Sequence, residues 1–232
     1  MINRDIRCIM AKTDHKSGQT QSDLREALVT AMLVHVPFDG WSDASLRAAA
    51  EDLGLSYDEA KTVLPSDAAA VDAFTDLADL QMARSLDSLD PRPEKISAII
   101  REAILCRLDN AEAHRDSVSQ GLKLLAQPQH AQVAASTLYR TVDRIWRLTG
   151  DRSVDFSFYT KRATLAGVYS ATLLYWVANA NADRTKIESF LDQRLREVAM
   201  IPKVTAPAKK AAQMGLKMAG KILGRMPMRH PS

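Results

Sequence analysis

An all-α bundle of about nine helices with an amphipathic helix at the C-terminus is the fold class that the sequence predicts. Three observations predict it. Gly and Pro number only nine each in 232 residues, while Ala, Leu, Arg and Asp abound. Alternating Val/Ile/Thr runs of the strand type are almost absent. Breaks recur at intervals that leave helices of ordinary length joined by short links. A chain of this length can bury a sizeable core as one large domain or two small ones. Its 46% hydrophobic and 25% charged content is that of a soluble globular protein.

The elements follow in order. Asp23, with Glu26 three residues on, can cap a helix to Val36, and residues 1–20 read as a disordered leader. Pro37 and Gly40 break that helix, and Ser42 caps the next, whose Leu46, Ala49, Ala50 and Leu53 share a face up to Gly54. Ser56 and Glu59 form a capping box that opens a short third helix to Leu64. Pro65 and Ser66 open a fourth, to Leu89. "DPRPEK" is a break, with Pro93 in the first turn of the following helix. Further helices are expected at 94–108, 110–126, 129–148, 156–180, 184–200 and 207–224. The expected organisation is a leader (1–20), a helix-turn-helix-like module (21–65), a helical body (66–201), a linker (202–206), the tail helix (207–225) and a disordered end (226–232).

Residues 163–182 carry no charge and must be tested as a membrane span. Thr164, Gly167, Ser170, Thr172, Asn179 and Asn181 within the run favour a buried bundle helix. Leu165, Tyr169, Leu173 and Trp176 fall roughly on one stripe of it. That stripe is either the wall of a lipid-binding pocket or ordinary core or dimer interface. "MINRDIRCIM" is too charged to be a secretory signal, and Cys8 and Cys106 form no CxxC, which fits free thiols in a reducing compartment.

Charge is unevenly placed. From Lys203 to Ser232 there are seven basic residues and no acidic one, which leaves 24 basic against 28 acidic residues in the remainder. On a helical wheel of 207–225, Lys209, Lys210, Lys217 and Lys221 gather on one side. Met214, Leu216, Met218, Ile222 and Leu223 gather on the other. Such a helix lies in the plane of a membrane surface with its lysines toward anionic headgroups. The membrane-binding residues expected are Lys210, Met214, Leu216, Lys217, Met218, Lys221, Ile222 and Leu223. Packing of this helix on its own domain is the alternative.

The first three helices, followed by a larger helical body, resemble the plan of TetR-type regulators. A DNA-binding surface needs Lys and Arg for phosphate contacts. From Leu24 to Leu64 there are seven acids against three bases, Arg25, Arg47 and Lys61. The third helix opens on Tyr57, Asp58 and Glu59. No nucleic-acid partner is expected. Nor is catalysis: there is no P-loop, GxGxxG, HExxH or GxSxG, no metal-spaced Cys/His cluster and no Glu-x-x-His pair. His35, at the end of an apolar helix, reads as a structural histidine.

The most unusual segment is "DRIWRLTGDRSVDFSFYTKRATLAGVY", Asp143 to Tyr169. Phe156, Phe158 and Tyr159 crowd one helical turn, and Phe156 and Phe158 stand about 200° apart around the axis. Either an aromatic is exposed as an interface anchor or all three pack into a core corner. The Trp146 helix end and "GDRSVDFSFYTKR" resemble the ubiquinone (coenzyme Q) biosynthesis accessory proteins, the ninth protein of that pathway. "FDGWSDASLRAAAEDLGLS" and "ESFLDQRLREVAM" extend the resemblance over about residues 22–224. The chain has Phe158 where mitochondrial members have Trp, and Ile145 where they have Met.

The resemblance implies a TetR-like all-α fold, a homodimer, loss of DNA binding, and no cofactor beyond a bound isoprenoid lipid. It further implies association with an anionic membrane through the tail helix and presentation of a quinone precursor to the di-iron hydroxylase of the demethoxyubiquinone step. The partner face it carries over is Asp143, Ile145, Trp146, Asp155, Phe158 and Tyr159. The expected function is therefore a non-catalytic lipid-binding accessory factor, at the cytoplasmic face of a bacterial inner membrane or, in eukaryotic relatives, on the matrix side. A TetR-like ligand-responsive regulator is the alternative.

Overall fold

The structure is a computed structural model that describes residues 5–150 and 156–199. Among these residues every regular element is helical. The order is α1 (Asp5–Asp39), α2 (Asp43–Asp52), α3 (Tyr57–Val63), α4 (Asp67–Asp87) and α5 (Ile96–Asn110). A 3-10 turn (Glu112–His114) leads into α6 (Arg115–Leu125), and another (Pro128–His130) into α7 (Ala131–Leu148). Next comes α8 (Phe156–Ala178), and a ninth helix, α9, spans 184–199.

Local chemistry sets most of these boundaries. The Ser42 hydroxyl accepts from the Ala44 and Ser45 amides, and Ser45 returns the bond to complete a capping box. The Ser56 amide donates to Glu59 Oε2 at 2.9 Å, the box expected for α3. Ser66 caps α4 through the Ala69 amide at 3.1 Å. Gly40, at φ +69, takes the left-handed conformation that ends α1, and its amide donates to the Val36 carbonyl at 2.9 Å.

Three boundaries differ from expectation. The backbone of α1 is already helical from Asp5, where a leader without structure was expected, because no proline interrupts residues 5–36. Pro37 does not break α1 but sits in its last turn, where it forfeits one amide bond and the helix ends two residues later. Pro93 lies before α5 rather than in its first turn, since α5 starts at Ile96 with Lys95 as N-cap.

The core does not respect a boundary at residue 65. Leu28, Val29, Met32 and Val36 of α1 pack with Leu46, Ala49 and Ala50 of α2, Ala60 of α3 and its C-cap Leu64, and Val71, Phe74 and Leu77 of α4 in one buried cluster. Trp41 pins the α1–α2 turn to the body. Its ring lies 5.3 Å from Phe74, and its indole N–H donates to the Ser117 carbonyl of α6 at 2.9 Å. Gly121 permits this approach, since a Cβ there would stand 3.2 Å from Val71 Cγ1 and 3.4 Å from the Trp41 indole nitrogen. The module and the body therefore belong to one compact unit, residues 1–183. Residues 184–232 form a second unit, of which α9 is the described part, with internal pairs Arg184–Glu188 at 3.0 Å and Arg194–Glu197 at 2.6 Å.

The uncharged run in α8 is a bundle helix. Leu165, Val168, Tyr169, Thr172 and Trp176 are buried along it. Among the described residues no helix is long and apolar enough to cross a membrane.

Candidate ligand cavity and partner face

The side chains of α4, α5, α6, α7 and α8 do not meet completely, and a cavity of about 340 Å³ remains between them. Its walls are mostly aliphatic and aromatic: Val71 and Phe74 from α4, Leu108 from α5, Val118, Leu122 and Leu125 from α6, Leu138 from α7, Leu173 and Leu174 from α8. This size and lining suit part of a small apolar ligand. Two of the four residues expected to wall a pocket, Tyr169 and Leu173, line it. The other two do not. Leu165 is buried core, and Trp176 is taken by Glu112 and Arg115: its indole donates to Glu112 Oε2 at 3.0 Å and the Arg115 guanidinium lies 4.3 Å from its ring centre. All four share a helical stripe, but the cavity is shorter than the stripe.

One stretch of the lining is polar. Arg107 of α5, Thr137 and Thr141 of α7 and Tyr169 of α8 face it. Behind them stands Asp79 of α4, fully buried, with Arg107 Nε 2.9 Å from its Oδ1. The Thr141 hydroxyl donates to Asp79 Oδ2 at 2.8 Å, and the Tyr169 hydroxyl interacts with Arg107. Burial pushes the Asp79 carboxyl upward against the pull of Arg107, and burial likewise pushes the Tyr169 phenol up, so it stays protonated. Arg107 Nε, despite its closeness to Asp79, is not in donor geometry and makes no hydrogen bond. Neither Asp79 nor Arg107 was singled out from the sequence. The signal was there: each is a charge at a core position, Arg107 three residues after buried Ile104 and Asp79 three before buried Met82.

A second polar cluster braces the outside of the same helices. Asp72 of α4 receives Arg25 at 3.1 Å, Arg140 at 2.8 Å and the Thr137 hydroxyl at 2.9 Å, and Asp76 receives Arg144 at 3.2 Å. These bonds tie α1 and α7 to α4.

The expected partner face divides sharply. Asp143 is buried between Arg162, at 2.7 Å from Oδ1, and Arg147, at 2.6 Å from Oδ2. Ile145 is fully buried and Trp146 nearly so, because they continue the core stripe of α7 that starts with Thr137 and Thr141. These three residues stabilise the face and do not form its surface. Phe158 is half-buried under the Arg162 guanidinium, 3.3 Å from its ring centre. Its ring meets Tyr159 edge-on at 5.2 Å, and Tyr159 is 69% exposed. Tyr159 is thus the exposed aromatic of this turn, held in place through Phe158, Arg162 and Asp143. Asp155 lies outside the described residues, as do Lys210, Met214, Leu216, Lys217, Met218, Lys221, Ile222 and Leu223 of the tail.

In the helix-turn-helix-like module all three bases are engaged by the protein itself. Arg25 pairs with Asp72, Lys61 with Asp43, and the Arg47 guanidinium stacks 3.5 Å over the Tyr57 ring. His35 is the structural histidine expected, with Nε2 2.7 Å from Asp52 Oδ2. No group of three or more His, Cys, Asp or Glu among the described residues could hold a metal ion.

Residues 131–202 match the COQ9 family. The segment holds α7, α8 and α9, and with them Thr137, Thr141, Tyr169 and the Asp143–Arg162 lock. The chain resembles COQ9. The ubiquinone biosynthesis protein COQ9 of Drosophila melanogaster is 30% identical over 182 residues, covering 77% of this chain and 56% of the fly protein. The Rattus norvegicus and Homo sapiens COQ9 proteins are each 26% identical over 191 residues, covering 79% of this chain and 61% and 60% of their own lengths. The chain thus spans less than two thirds of these relatives, all of which are named as mitochondrial. A TetR transcriptional regulator from Nitrosomonas europaea superposes with a TM-score of 0.61 at 22% identity, over 76% of this chain and 98% of that one. The fold is TetR-like, as the sequence predicts; at that identity the likeness concerns architecture alone.

The Asp143 lock has a measurable pH signature. Burial works against its charge, but the hydrogen bonds from Arg162 and Arg147 prevail and hold the carboxyl below its ordinary value of 3.8. Its stabilisation is therefore complete above that value and is lost as pH falls through the lower folded-state pKa. Asp143→Asn should cost about 3 kcal/mol at neutral pH by leaving Arg162 without its partner. It should also flatten the acid limb of stability against pH, as urea unfolding at a series of pH values would show.

Proposed function

We propose that this chain is a non-catalytic accessory factor of ubiquinone biosynthesis that binds an isoprenoid quinone precursor. The observation that carries this reading is the apolar cavity between α4 and α8, in a chain whose α7 and α8 match COQ9. An isoprenoid chain is a branched hydrocarbon, and Val71, Phe74, Leu108, Leu122, Leu138 and Leu173 offer it apolar contact. Tyr159, with Phe158 behind it, is the anchor for a protein partner, and a di-iron hydroxylase of the same pathway is the partner that fits the reading. The chain acts as a homodimer at a cytoplasmic membrane face. Its tail sequence, basic on one side and apolar on the other, supports a peripheral, not a spanning, attachment.

A DNA-binding regulator shares the architecture but not the surface. With Arg25, Arg47 and Lys61 occupied within the protein and Asp58 and Glu59 leading α3, the module has no free basic side chain to offer phosphates.

The cavity reading is tested on the purified full chain by organic extraction and mass spectrometry. An isoprenoid quinone or quinone precursor should be recovered from the wild type. Ala134→Trp places an indole in the cavity from a half-buried wall position and should remove most of that lipid while leaving the helical spectrum unchanged. Equal lipid in both proteins contradicts the assignment. The membrane reading is tested by flotation with anionic liposomes: the full chain should float and a chain ending at residue 206 should not. Flotation of both to the same extent removes the tail from the attachment.

A further inference from the structure

The polarity of the cavity runs in an unusual direction. Its less buried parts, marked by exposed Ala126, Leu174 at 58% exposure and half-buried Leu138, are mainly apolar, with the hydroxyls of half-buried Thr75, already bonded to the Val71 carbonyl at 3.0 Å, and Ser170 beside them. Its inner wall holds Arg107, Thr141 and Tyr169, each less than one-tenth exposed. A pocket built only to shelter a hydrocarbon tail gains nothing from a buried guanidinium, which is costly to desolvate. A pocket that kept a polar head at the surface would place its polar groups at the mouth.

The inner groups differ in what they can still offer. The Thr141 hydroxyl is committed to Asp79, at 2.8 Å. The Thr137 hydroxyl is committed to Asp72, at 2.9 Å. Arg107 Nε faces Asp79 at 2.9 Å and the guanidinium interacts with the Tyr169 hydroxyl, but a guanidinium has five donors to place, more than these two partners take up. The Tyr169 hydroxyl, next to it, can turn to donate or accept. Charge is already balanced there, because Asp79 lies 2.9 Å from Arg107. An added anion would share the site with the Asp79 carboxylate, whereas an uncharged acceptor oxygen meets no such repulsion.

We propose that Arg107 and Tyr169 anchor an uncharged oxygen of the ligand, a quinone carbonyl or a phenol, at the inner end of the cavity, with the apolar tail leading out past Leu138 and Leu174. The inference rests on the reading of the cavity as a ligand site and adds to it the side chains that hold the head group and the direction of binding. The ligand goes in head first, so its ring is shielded inside the bundle and must be withdrawn before another protein can act on it.

The test uses full-length protein in non-ionic detergent and three probes with the same ten-carbon tail: a decyl-substituted benzoquinone, decylbenzene and decanoate. Titration calorimetry should show the benzoquinone binding at least tenfold more tightly than decylbenzene, with decanoate no better than decylbenzene. Tyr169→Phe should shrink the benzoquinone preference severalfold. The paired variant Asp79→Asn/Arg107→Met, which removes both charges together so that neither is left alone, should abolish it. Both variants should still bind decylbenzene as the wild type does, which shows that the cavity is intact. Equal affinity for benzoquinone and decylbenzene in the wild type overturns the anchor and leaves the apolar site standing. Tightest binding of decanoate overturns the claim for an uncharged head. Failure of all three probes to bind overturns the cavity reading itself, and the anchor with it.

Discussion

A buried ion pair fixes the geometry on which the rest of the protein depends. Asp79 on α4 and Arg107 on α5 sit where a helical bundle would ordinarily place leucine, and Thr141 on α7 and Tyr169 on α8 complete their surroundings. Once two charges are inside, the four helices that satisfy them lose much of their freedom to slide or rotate. Such a pair contributes little net stability compared with an apolar replacement, yet breaking one half of it is severe. Outside this centre, Asp72 and Asp76 bind arginines from α1 and α7, so the same helices are braced from within and from the surface.

The fold alone does not say what the first three helices do. The first three helices keep the helix-turn-helix layout, with both serine capping boxes in place and Trp41 docked on α6. Yet the bases that could meet phosphate are bound to the protein's own acids or stacked on Tyr57. The module survives as a structural part of the core, because Leu28, Met32, Leu46 and Leu64 pack on α4. Removing it would expose the surface that carries one side of the cavity. A structural likeness to a TetR regulator is therefore a statement about packing, and the chemistry has to be argued from the cavity and from the α7–α8 junction.

Much of this was legible in the sequence, and the limits follow physical lines. Capping residues act on their own helix, so Ser42, Ser56 and Ser66 could be read directly. The continuation of α1 back to Asp5 was not, because polar residues without a proline give no firm signal in either direction. A helical wheel gives the angle of a side chain but not how far along the axis a neighbour extends. It therefore grouped Leu165 and Trp176 with Tyr169 and Leu173, although only the last two reach the cavity. Burial of Asp143, Ile145 and Trp146 depends on where α8 crosses α7, a tertiary fact that spacing does not contain. Asp79 and Arg107 were visible as charges in a hydrophobic phase, but their pairing across two helices was not.

The quinone profile of a strain lacking this chain tests the biosynthetic role most directly. Extraction and mass spectrometry should show loss of ubiquinone with accumulation of a late precursor that lacks one ring oxygenation, restored by the wild-type chain and not by Ala134→Trp. An unchanged profile would contradict the role in ubiquinone biosynthesis, whatever the cavity binds.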